Sequence, residues 1–209
     1  MSENARYEYL QAGPTDAAAP ALASVFLHQL ASASRVRTVC DLGCGNGYLS
    51  GLLLAQGYEV TGVDASDSGI SVARQTHGAR AQFVCAPCDA SLPRKLNGRK
   101  FGAIVSSDVI EHLYHPRDLV DCARELLIPR GWLVLGTPYH GYLKNLALSL
   151  LNRWDAHHTT DWDGGHIKFF SISTLTRLVE QAGFDILRFR YFGRAPWLWK
   201  NMICLARLR

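Results

Sequence analysis

The chain has 209 residues, of which 48% are hydrophobic and 19% are charged, so it can bury a sizeable core and global disorder is excluded. Its net charge of +4 is too small for a dedicated nucleic-acid-binding protein. No apolar stretch reaches the roughly 20 residues that cross a bilayer, and no basic segment leads into an apolar one near the N-terminus. We therefore expect a single cytoplasmic domain over residues 1–209 that neither recognises nucleic acid nor inserts stably into a membrane.

The positive charge is concentrated at the C-terminal end of the chain. From position 188 onward there is no acidic residue, and the six cations there are Arg188, Arg190, Arg194, Lys200, Arg207 and Arg209. Such a segment either approaches an anionic substrate or a membrane surface, or forms the solvated ends of a final hairpin. The sequence leaves these alternatives open, including a peripheral contact with a membrane.

Strand and helix patterns alternate along most of the chain. Five short apolar runs are typical of buried strands: 36–42, 58–63, 81–85, 101–105 and 132–137. The helical patterns between and before them begin near Thr15, at Tyr48, after Ser66 and at Pro116. This alternation predicts a doubly wound α/β domain around a parallel sheet.

The alternation breaks after the fifth strand. Residues 138–170 combine a helical stretch over 143–151 with a polar segment rich in histidine, tryptophan and glycine. An excursion of this length is too long for a passive connection, so we expect it to form a lid. A helix capped by Ser173 and two strands, 184–191 and 197–206, complete the predicted domain.

Six cysteines are too few for a disulfide scaffold in a chain of this length. Cys40, Cys85 and Cys204 lie in apolar strand-like runs, which predicts reduced, buried thiols. Cys85 and Cys88 form a single CxxC pair without a second pair to complete a zinc site. The residues that follow, including Pro93, argue against the helix that a redox motif would begin. No metal is assigned.

A glycine-rich loop with an acidic residue follows the first strand. Residues 41–47 read Asp-Leu-Gly-Cys-Gly-Asn-Gly, and glycines at such a turn let a ligand approach the backbone. Asp64 ends the second strand, where a carboxylate can accept both hydroxyls of a ribose. Tyr48 stands where a dinucleotide fold needs its third glycine, which disfavours a dehydrogenase. Asp41 would repel phosphate and suits a ligand that carries a cationic amine and a sulfonium.

Residues 39–47 resemble motif I of class I S-adenosylmethionine-dependent methyltransferases, and the resemblance extends over almost the whole chain. It implies a seven-stranded Rossmann-like sheet, S-adenosylmethionine as cofactor and S-adenosylhomocysteine as product. It also implies that the loop after strand one cradles the methionyl end of the cofactor and that the acid ending strand two holds the ribose. The segment after strand three would hold the adenine, and the segment after strand four would border the reacting methyl. The implied cofactor-binding residues are Asp41, Gly43, Cys44, Gly45, Asn46, Gly47, Tyr48, Asp64, Ala65, Pro87, Cys88, Asp89, Ser106, Ser107 and Asp108.

Residues 129–134 resemble the turn that leads into strand five in this family, with Arg130 in place of a glycine. A turn position need not have a positive φ. We therefore expect Arg130 to be accommodated easily.

Asp108, Glu111 and His112 resemble the Glu-x-x-Glu-His segment after strand four of the polyprenyl-ring O-methyltransferases of ubiquinone synthesis. Their spacing places the three side chains on one side of a turn or helix. They could hold a divalent cation, hydrogen-bond the acceptor or cap the following segment. The resemblance favours methyl transfer to a hydroxyl of a small molecule.

Histidines near the predicted site are candidate bases because their pKa values lie near neutrality. The candidates are His166, His140 and His112, and we favour His166 because Gly164 and Gly165 let the backbone pass over a ligand. The candidate substrate-binding residues are Glu111, Tyr139, His158, Trp162 and Lys168. Metal binding by His157, His158 and His166 is an alternative, although adjacent histidines rarely converge on one ion.

Aromatic residues outside these motifs have two interpretations each. Tyr7 and Tyr9 either fold over the cofactor or pack locally, and Trp197 and Trp199 either line the acceptor pocket, meet a membrane interface or pack at the sheet edge.

The leading interpretation is S-adenosylmethionine-dependent O-methylation of a small-molecule acceptor by a monomer or homodimer. N-methylation of a small amine or heterocycle is the alternative within enzymes. A non-catalytic S-adenosylmethionine sensor is the alternative outside them. Protein or nucleic-acid acceptors are disfavoured because the chain shows no added recognition domain and no extended basic face.

Overall fold

The computed structural model describes residues 8–15, 17–33, 36–158 and 164–209. Within them, seven strands form one sheet: β1 (Thr38–Leu42), β2 (Glu59–Asp64), β3 (Gln82–Cys85), β4 (Phe101–Ser107), β5 (Leu127–Pro138), β6 (Phe184–Phe192) and β7 (Asn201–Leu208). Their order across the sheet is β3-β2-β1-β4-β5-β7-β6. The first five strands pair in parallel, and β7 runs antiparallel to both of its neighbours. The predicted alternation therefore produces the expected parallel sheet, closed by an antiparallel hairpin.

Helices cover both faces of this sheet. Their bounds are α1 (Ala19–Ala31), α2 (Tyr48–Ala55), α3 (Asp67–His77), α4 (Leu92–Lys95), α5 (Pro116–Leu126), α6 (Tyr142–Leu150), α7 (Trp154–His158) and α8 (Ile172–Gln181), with a 3₁₀ turn over Ile110–His112. Buried side chains of α1 and α2 form one apolar cluster with the sheet, and those of α5 and α8 form a second. The parallel strands are apolar on both faces because each face packs against helices.

Several helix boundaries differ from the sequence prediction. Helix α1 begins at Ala19 rather than near Thr15, and Pro20 occupies its first turn, where a missing N–H has no consequence. Helix α8 is capped by Ser171 rather than Ser173: the Ser171 hydroxyl accepts from the Thr174 N–H and the Thr174 hydroxyl accepts from the Ser171 N–H.

The segment around the CxxC pair agrees with one expectation and corrects another. The pair does not begin a helix: the short helix α4 starts at Leu92, with Pro93 in its first turn. Cys85 is exposed rather than buried, since β3 is the edge strand of the sheet, and its thiol lies 2.9 Å from an oxygen of Asp67. Cys40 and Cys204 are buried free thiols, as predicted.

The expectation for Arg130 is wrong. Its φ is +59°, in the left-handed region that favours glycine. The turn is tight at this point, since a Cβ on Gly131 would lie 2.9 Å from the carbonyl oxygen of Ile128. The replacement of a family glycine by arginine therefore carries backbone strain.

The last strand begins later than predicted. Strand β7 starts at Asn201, so Trp197 and Trp199 belong to the connection between β6 and β7. Trp199 stacks on Tyr191 with the ring centroids 4.0 Å apart, whereas 60% of Trp197 is exposed. Among the described helices, none has the length and apolar character needed to span a bilayer.

Candidate active site

A cavity of about 1840 Å³ opens at the carboxyl ends of the parallel strands. This is the edge at which open α/β sheets bind ligands. Thirteen of the fifteen predicted cofactor residues line the cavity. The other two are structural: Gly47 begins helix α2 with a φ of 81°, and the buried Ser106 hydroxyl donates to the carbonyl of Leu42 at 2.8 Å.

The loop after β1 requires glycine at its first two glycine positions. Gly43 has a φ of +82°, and a Cβ there would lie 2.1 Å from a methyl of Val109. Gly45 has a φ of +51°, and a Cβ there would lie 2.6 Å from the hydroxyl oxygen of Tyr9. The side chains of Val109 and Tyr9 therefore pack directly on the backbone of this loop, and all four residues line the cavity.

Asp64 lies at the end of β2, beside this loop. Its Oδ2 accepts the Gly45 N–H at 2.8 Å and its Oδ1 accepts the Ser66 N–H at 2.8 Å. Burial raises the pKa of the Asp64 carboxyl, and these backbone hydrogen bonds act in the opposite direction. Each carboxylate oxygen keeps a second lone pair with which it can accept a ligand hydroxyl.

Asp41 is the buried acid of the glycine loop. It is 1% exposed, and its Oδ2 accepts the Ser50 hydroxyl at 2.7 Å. Burial raises the pKa of Asp41 to about 7, against the lowering effect of the Ser50 hydrogen bond. Among the described residues no cationic side chain forms an ion pair with Asp41. A cationic ligand would supply the positive partner that this buried carboxyl lacks. This chemistry fits S-adenosylmethionine, which carries an ammonium and a sulfonium.

The N-terminal segment packs over the same loop. The Tyr9 N–H donates to the Ser68 hydroxyl at 3.0 Å, which places the Tyr9 ring against Gly45. The Asn46 side-chain amide donates to the carbonyls of Gln11 and Gly13 at 3.0 and 2.8 Å. Asn46 therefore holds the segment in place. Tyr7 lies outside the described residues.

The 3₁₀ turn after β4 joins the sheet to the segment that returns from the predicted lid. Glu111 is 1% exposed; its Oε2 accepts the Thr137 hydroxyl at 3.0 Å, and its carbonyl accepts the N–H groups of Ile167 and Lys168. Burial, and secondarily Asp108, raise the pKa of Glu111. The turn therefore fixes the returning segment through Glu111 rather than exposing this carboxyl to the cavity.

His112 and His166 lie together at the cavity wall. Their ring centroids are 4.8 Å apart, and both side chains line the cavity. The Nδ1 of His112 is 2.9 Å from the Gly164 carbonyl oxygen and 3.2 Å from that of Gly165. Carbonyls only accept, so Nδ1 carries the proton and Nε2 carries the lone pair.

The two histidines differ in basicity. Burial lowers the pKa of His112, and the two carbonyl contacts oppose this effect. Burial first, and then the neighbouring His112, lower the pKa of His166 to about 4. His112 therefore has the better environment for accepting a proton near neutral pH.

The remaining predicted residues are divided between the cavity and the packing behind it. His158 lines the cavity, whereas His140, Tyr139, Glu111 and Lys168 do not. Trp162 lies outside the described residues. His140 is 6% exposed and packs edge-on against Phe169, and burial lowers its pKa to about 3.

In the part of the chain that the structure describes, two side-chain groups could hold a metal ion. One combines Glu111, His112 and His166, and the other combines His140, His157 and His158; in each group the ligand atoms lie within 4.8 Å of one another. The three histidines considered from the sequence are therefore divided between two groups. Zinc bound by such residues would bring its ligand nitrogens to roughly 3.3 Å from one another.

Sequence reasoning missed several residues that line the cavity. Lys144 on α6 is buried, and Arg194 and Lys200 come from the connection between β6 and β7. The C-terminal run of cations was a signal for the last two. Lys144 stands in an apolar helical pattern, which gives no indication that its side chain reaches a ligand cavity.

Comparison with known proteins identifies the family. The model of the family described as a methyltransferase domain matches residues 16–188, most of the chain. The chain belongs to the class I S-adenosylmethionine-dependent methyltransferases. The predicted fold class, enzyme class and cofactor are confirmed by this membership.

The curated proteins that match this chain include ubiquinone biosynthesis O-methyltransferases. The mitochondrial ubiquinone biosynthesis O-methyltransferase of Arabidopsis thaliana is 30% identical over 166 residues, which cover 75% of this chain and 49% of that protein. The chain spans between 49% and 66% of the length of the curated relatives it matches.

Solved structures of other methyltransferases have the same fold. The magnesium protoporphyrin IX methyltransferase of Synechocystis PCC 6803 with bound S-adenosylmethionine aligns with a TM-score of 0.65 at 18% identity, over 91% of this chain and 79% of that one. The N-methyltransferase NodS of Bradyrhizobium japonicum WM9, in complex with S-adenosyl-L-homocysteine, aligns with a TM-score of 0.66 at 16% identity, over 93% and 89%. At these identities the alignments establish the shared fold alone.

Proposed function

We propose that this methyltransferase transfers the methyl group of S-adenosylmethionine to a hydroxyl of a small-molecule acceptor. The observation that carries the proposal is the single cavity lined by the glycine loop and Asp64 on one side and by His112 and His166 on the other. The name of the Arabidopsis relative, an O-methyltransferase of ubiquinone biosynthesis, favours a hydroxyl acceptor.

In this proposal the cofactor is held by the residues that follow the first three parallel strands. Asp41 balances the cationic methionyl end, the backbone of residues 43–47 surrounds it, and Asp64 accepts the ribose hydroxyls. Residues 87–89 hold the adenine. The cofactor supplies an electrophilic methyl on a sulfonium, which is already a good leaving group, so the protein contributes mainly by positioning the acceptor.

Removal of the acceptor proton is assigned to His112. A hydroxyl loses its proton during methyl transfer, and the nitrogen that can take it is Nε2, since carbonyls of Gly164 and Gly165 hold the proton on Nδ1. Nε2 lies 4.0 Å from Oε1 of the buried Glu111 carboxyl, whose pKa is raised by burial. His166, which the sequence favours, has a pKa of about 4 and acts here as a wall of the acceptor site.

The described parts of the predicted lid, residues 138–158 and 164–170, cover this site in our proposal. The return of the segment is fixed by the N–H groups of Ile167 and Lys168, which donate to the Glu111 carbonyl at 2.9 and 3.0 Å. Helices α6 and α7 bring Lys144, His157 and His158 to the cavity. A lid in this place excludes water from the transferring methyl group.

The proposed function is tested by measuring binding and transfer separately. Calorimetry with S-adenosylhomocysteine tests the cofactor site, and Asp64→Asn is expected to weaken binding at least tenfold. Labelled S-adenosylmethionine is then offered with phenols, catechols and amines as acceptors. Transfer to hydroxyls supports the proposal, transfer to amines alone supports N-methylation, and cofactor binding without transfer to any acceptor in a metabolite extract supports a sensor.

The assignment of the base is tested by His112→Ala and His166→Ala. General-base assistance is typically worth about 10²–10⁴ in rate. We expect His112→Ala to lower kcat by a factor in this range and to remove the acidic limb of the pH–rate profile, with cofactor affinity unchanged. A larger loss in His166→Ala, with the pH profile of His112→Ala intact, would transfer the role to His166.

A further inference from the structure

Acidic and basic side chains both line the cavity. Asp41 in β1, Asp64 at the end of β2 and Asp89 after β3 lie where the proposed cofactor site is; the cavity is also lined by Glu8, Asp108 and Asp118, and Asp108 accepts from the Asn201 amide. The cations Lys144 and Arg194 line the part formed by α6 and the β6–β7 connection. The acids near the strand ends match the positive charge of the cofactor. By the same reasoning, Lys144 and Arg194 indicate the charge of the group that binds next to the cofactor.

Lys144 is the unusual residue of the basic part. It is 2% exposed, and its ammonium donates to the carbonyl of Tyr139 at 2.7 Å. Among the described residues no carboxylate forms an ion pair with it. Lysine is almost never fully buried without a paired charge, because removing an ammonium from water is costly. Burial first, and then Arg194 and Lys200, lower its pKa to about 8, which still leaves it largely protonated at pH 7.

His158, at the end of α7, lies in the same electrostatic neighbourhood. It is 7% exposed, and neither of its ring nitrogens has a hydrogen-bond partner among the described residues. Burial and then Lys144 lower its pKa. Buried polar atoms in folded proteins are almost always paired, so two ring nitrogens without a partner among the described residues, near an ammonium without a counter-charge, indicate a place for a ligand.

Arg194 adds an accessible donor to this group. Its side chain lines the cavity, and the residue is exposed with a φ of +57° in the β6–β7 connection. By contrast, Arg188 of the same C-terminal run donates to Gln29 and Ser32, and Arg209 pairs with Asp185. The cationic run is thus divided between structural contacts and the cavity.

We infer that Lys144, His158 and Arg194 form a subsite for an anionic group of the acceptor, a carboxylate or a phosphate. The inference rests on the proposed function, since it places this group next to the transferring methyl. An anion supplies the charge that Lys144 lacks, accepts from the ring N–H of His158 and is approached by the fork of Arg194. A divalent metal on His140, His157 and His158 is the competing occupant, and the fixed charge of Lys144 and Arg194 opposes it.

The subsite is tested with inorganic phosphate and benzoate as probes, titrated into the protein saturated with S-adenosylhomocysteine. We expect millimolar or tighter binding of at least one probe, weakened at least tenfold in Lys144→Met and at least threefold in Arg194→Met. The control is Lys100→Met, which removes a surface lysine whose ammonium also donates to a carbonyl, that of Glu125. Arg194 is exposed, so its variant keeps the test decisive even if Lys144→Met folds poorly.

The possible results distinguish a phosphorylated acceptor from a carboxylic acid, and failure of the subsite from failure of the proposed function. Preference for phosphate assigns a phosphorylated acceptor, and preference for benzoate assigns a carboxylic acid. Unchanged probe affinity in both variants overturns the subsite. Stoichiometric binding of Zn²⁺ also overturns it, if that binding is lost in His158→Ala and neither anion displaces the metal. Failure of the wild type to bind S-adenosylhomocysteine overturns the proposed function instead, and the probes can still be titrated in its absence.

Discussion

Replacing Asp41 by asparagine separates the destabilising effect of a buried acid from its contribution to cofactor binding. Asparagine has nearly the same shape, and its Oδ1 can still accept the Ser50 hydroxyl that Asp41 accepts at 2.7 Å. The variant removes the charge and replaces one carboxylate oxygen by an amide donor. Any change in stability with pH that disappears in Asp41→Asn therefore belongs to this carboxyl.

The size of the effect follows from the raised pKa. Burial raises the pKa of Asp41 from 3.8 to about 7, and each unit corresponds to about 1.4 kcal/mol. Between these values the folded state keeps a proton that the unfolded state has released, so the free energy of unfolding falls as the pH rises. Above pH 7 the full loss, on the order of 4 kcal/mol, is present. Asp41→Asn should recover most of it at pH 8 and little at pH 4.

Urea denaturation of both proteins at pH 4, 6 and 8 measures this difference. We expect the variant to be more stable at pH 8 and to bind S-adenosylmethionine at least tenfold more weakly. A difference in stability that does not depend on pH would refute the account of Asp41 as a buried, unpaired acid. A more stable variant with unchanged affinity would show that the carboxyl does not face the cofactor.

Three further substitutions test other parts of the structure. Because the pKa of Lys144 is lowered from 10.5 to about 8, the folded state releases this proton before the unfolded state does, and the free energy of unfolding of the wild type should rise by about 3 kcal/mol between pH 8 and 10.5. Lys144→Met should abolish this rise, which denaturation at several pH values measures. Arg130→Gly should raise the free energy of unfolding by about 1 kcal/mol by relieving a φ of +59°, and Arg130→Ala, with no such relief, is its control. Gly136→Ala should destabilise by about 1–3 kcal/mol, because its Cβ would lie 2.5 Å from the Phe26 ring; an unchanged melting temperature would contradict the packing described for β5.

The part of the cavity lined by the glycine loop and Asp64 was predictable because its residues are local in sequence. The glycine loop and Asp64 each end a strand, and the carboxyl ends of parallel strands meet at one edge of a sheet. The position of the cavity at the carboxyl ends of the strands followed from the same pattern. The exceptions, Gly47 and Ser106, lie in the predicted segments but do not line the cavity: Gly47 caps helix α2, and the Ser106 hydroxyl donates to a backbone carbonyl. A sequence motif alone does not distinguish residues that line a cavity from neighbours that support the fold.

The part of the cavity lined by Lys144 and Arg194 was less predictable because it is assembled from distant elements. Lys144 comes from α6 and Arg194 from the β6–β7 connection, and only the folded sheet brings them to one cavity. The choice between His112 and His166 also depended on tertiary contacts, since it is the carbonyls of Gly164 and Gly165 that set the tautomer of His112. Neither the spacing nor the type of these residues contains that information.

The most direct test of the account is a crystal structure of this methyltransferase with S-adenosylhomocysteine bound. The account predicts that the ribose hydroxyls lie within hydrogen-bond distance of Asp64, that the ammonium approaches Asp41, and that the sulfur faces the part of the cavity lined by His112. A cofactor product bound elsewhere, or one whose sulfur faces away from His112, would contradict it.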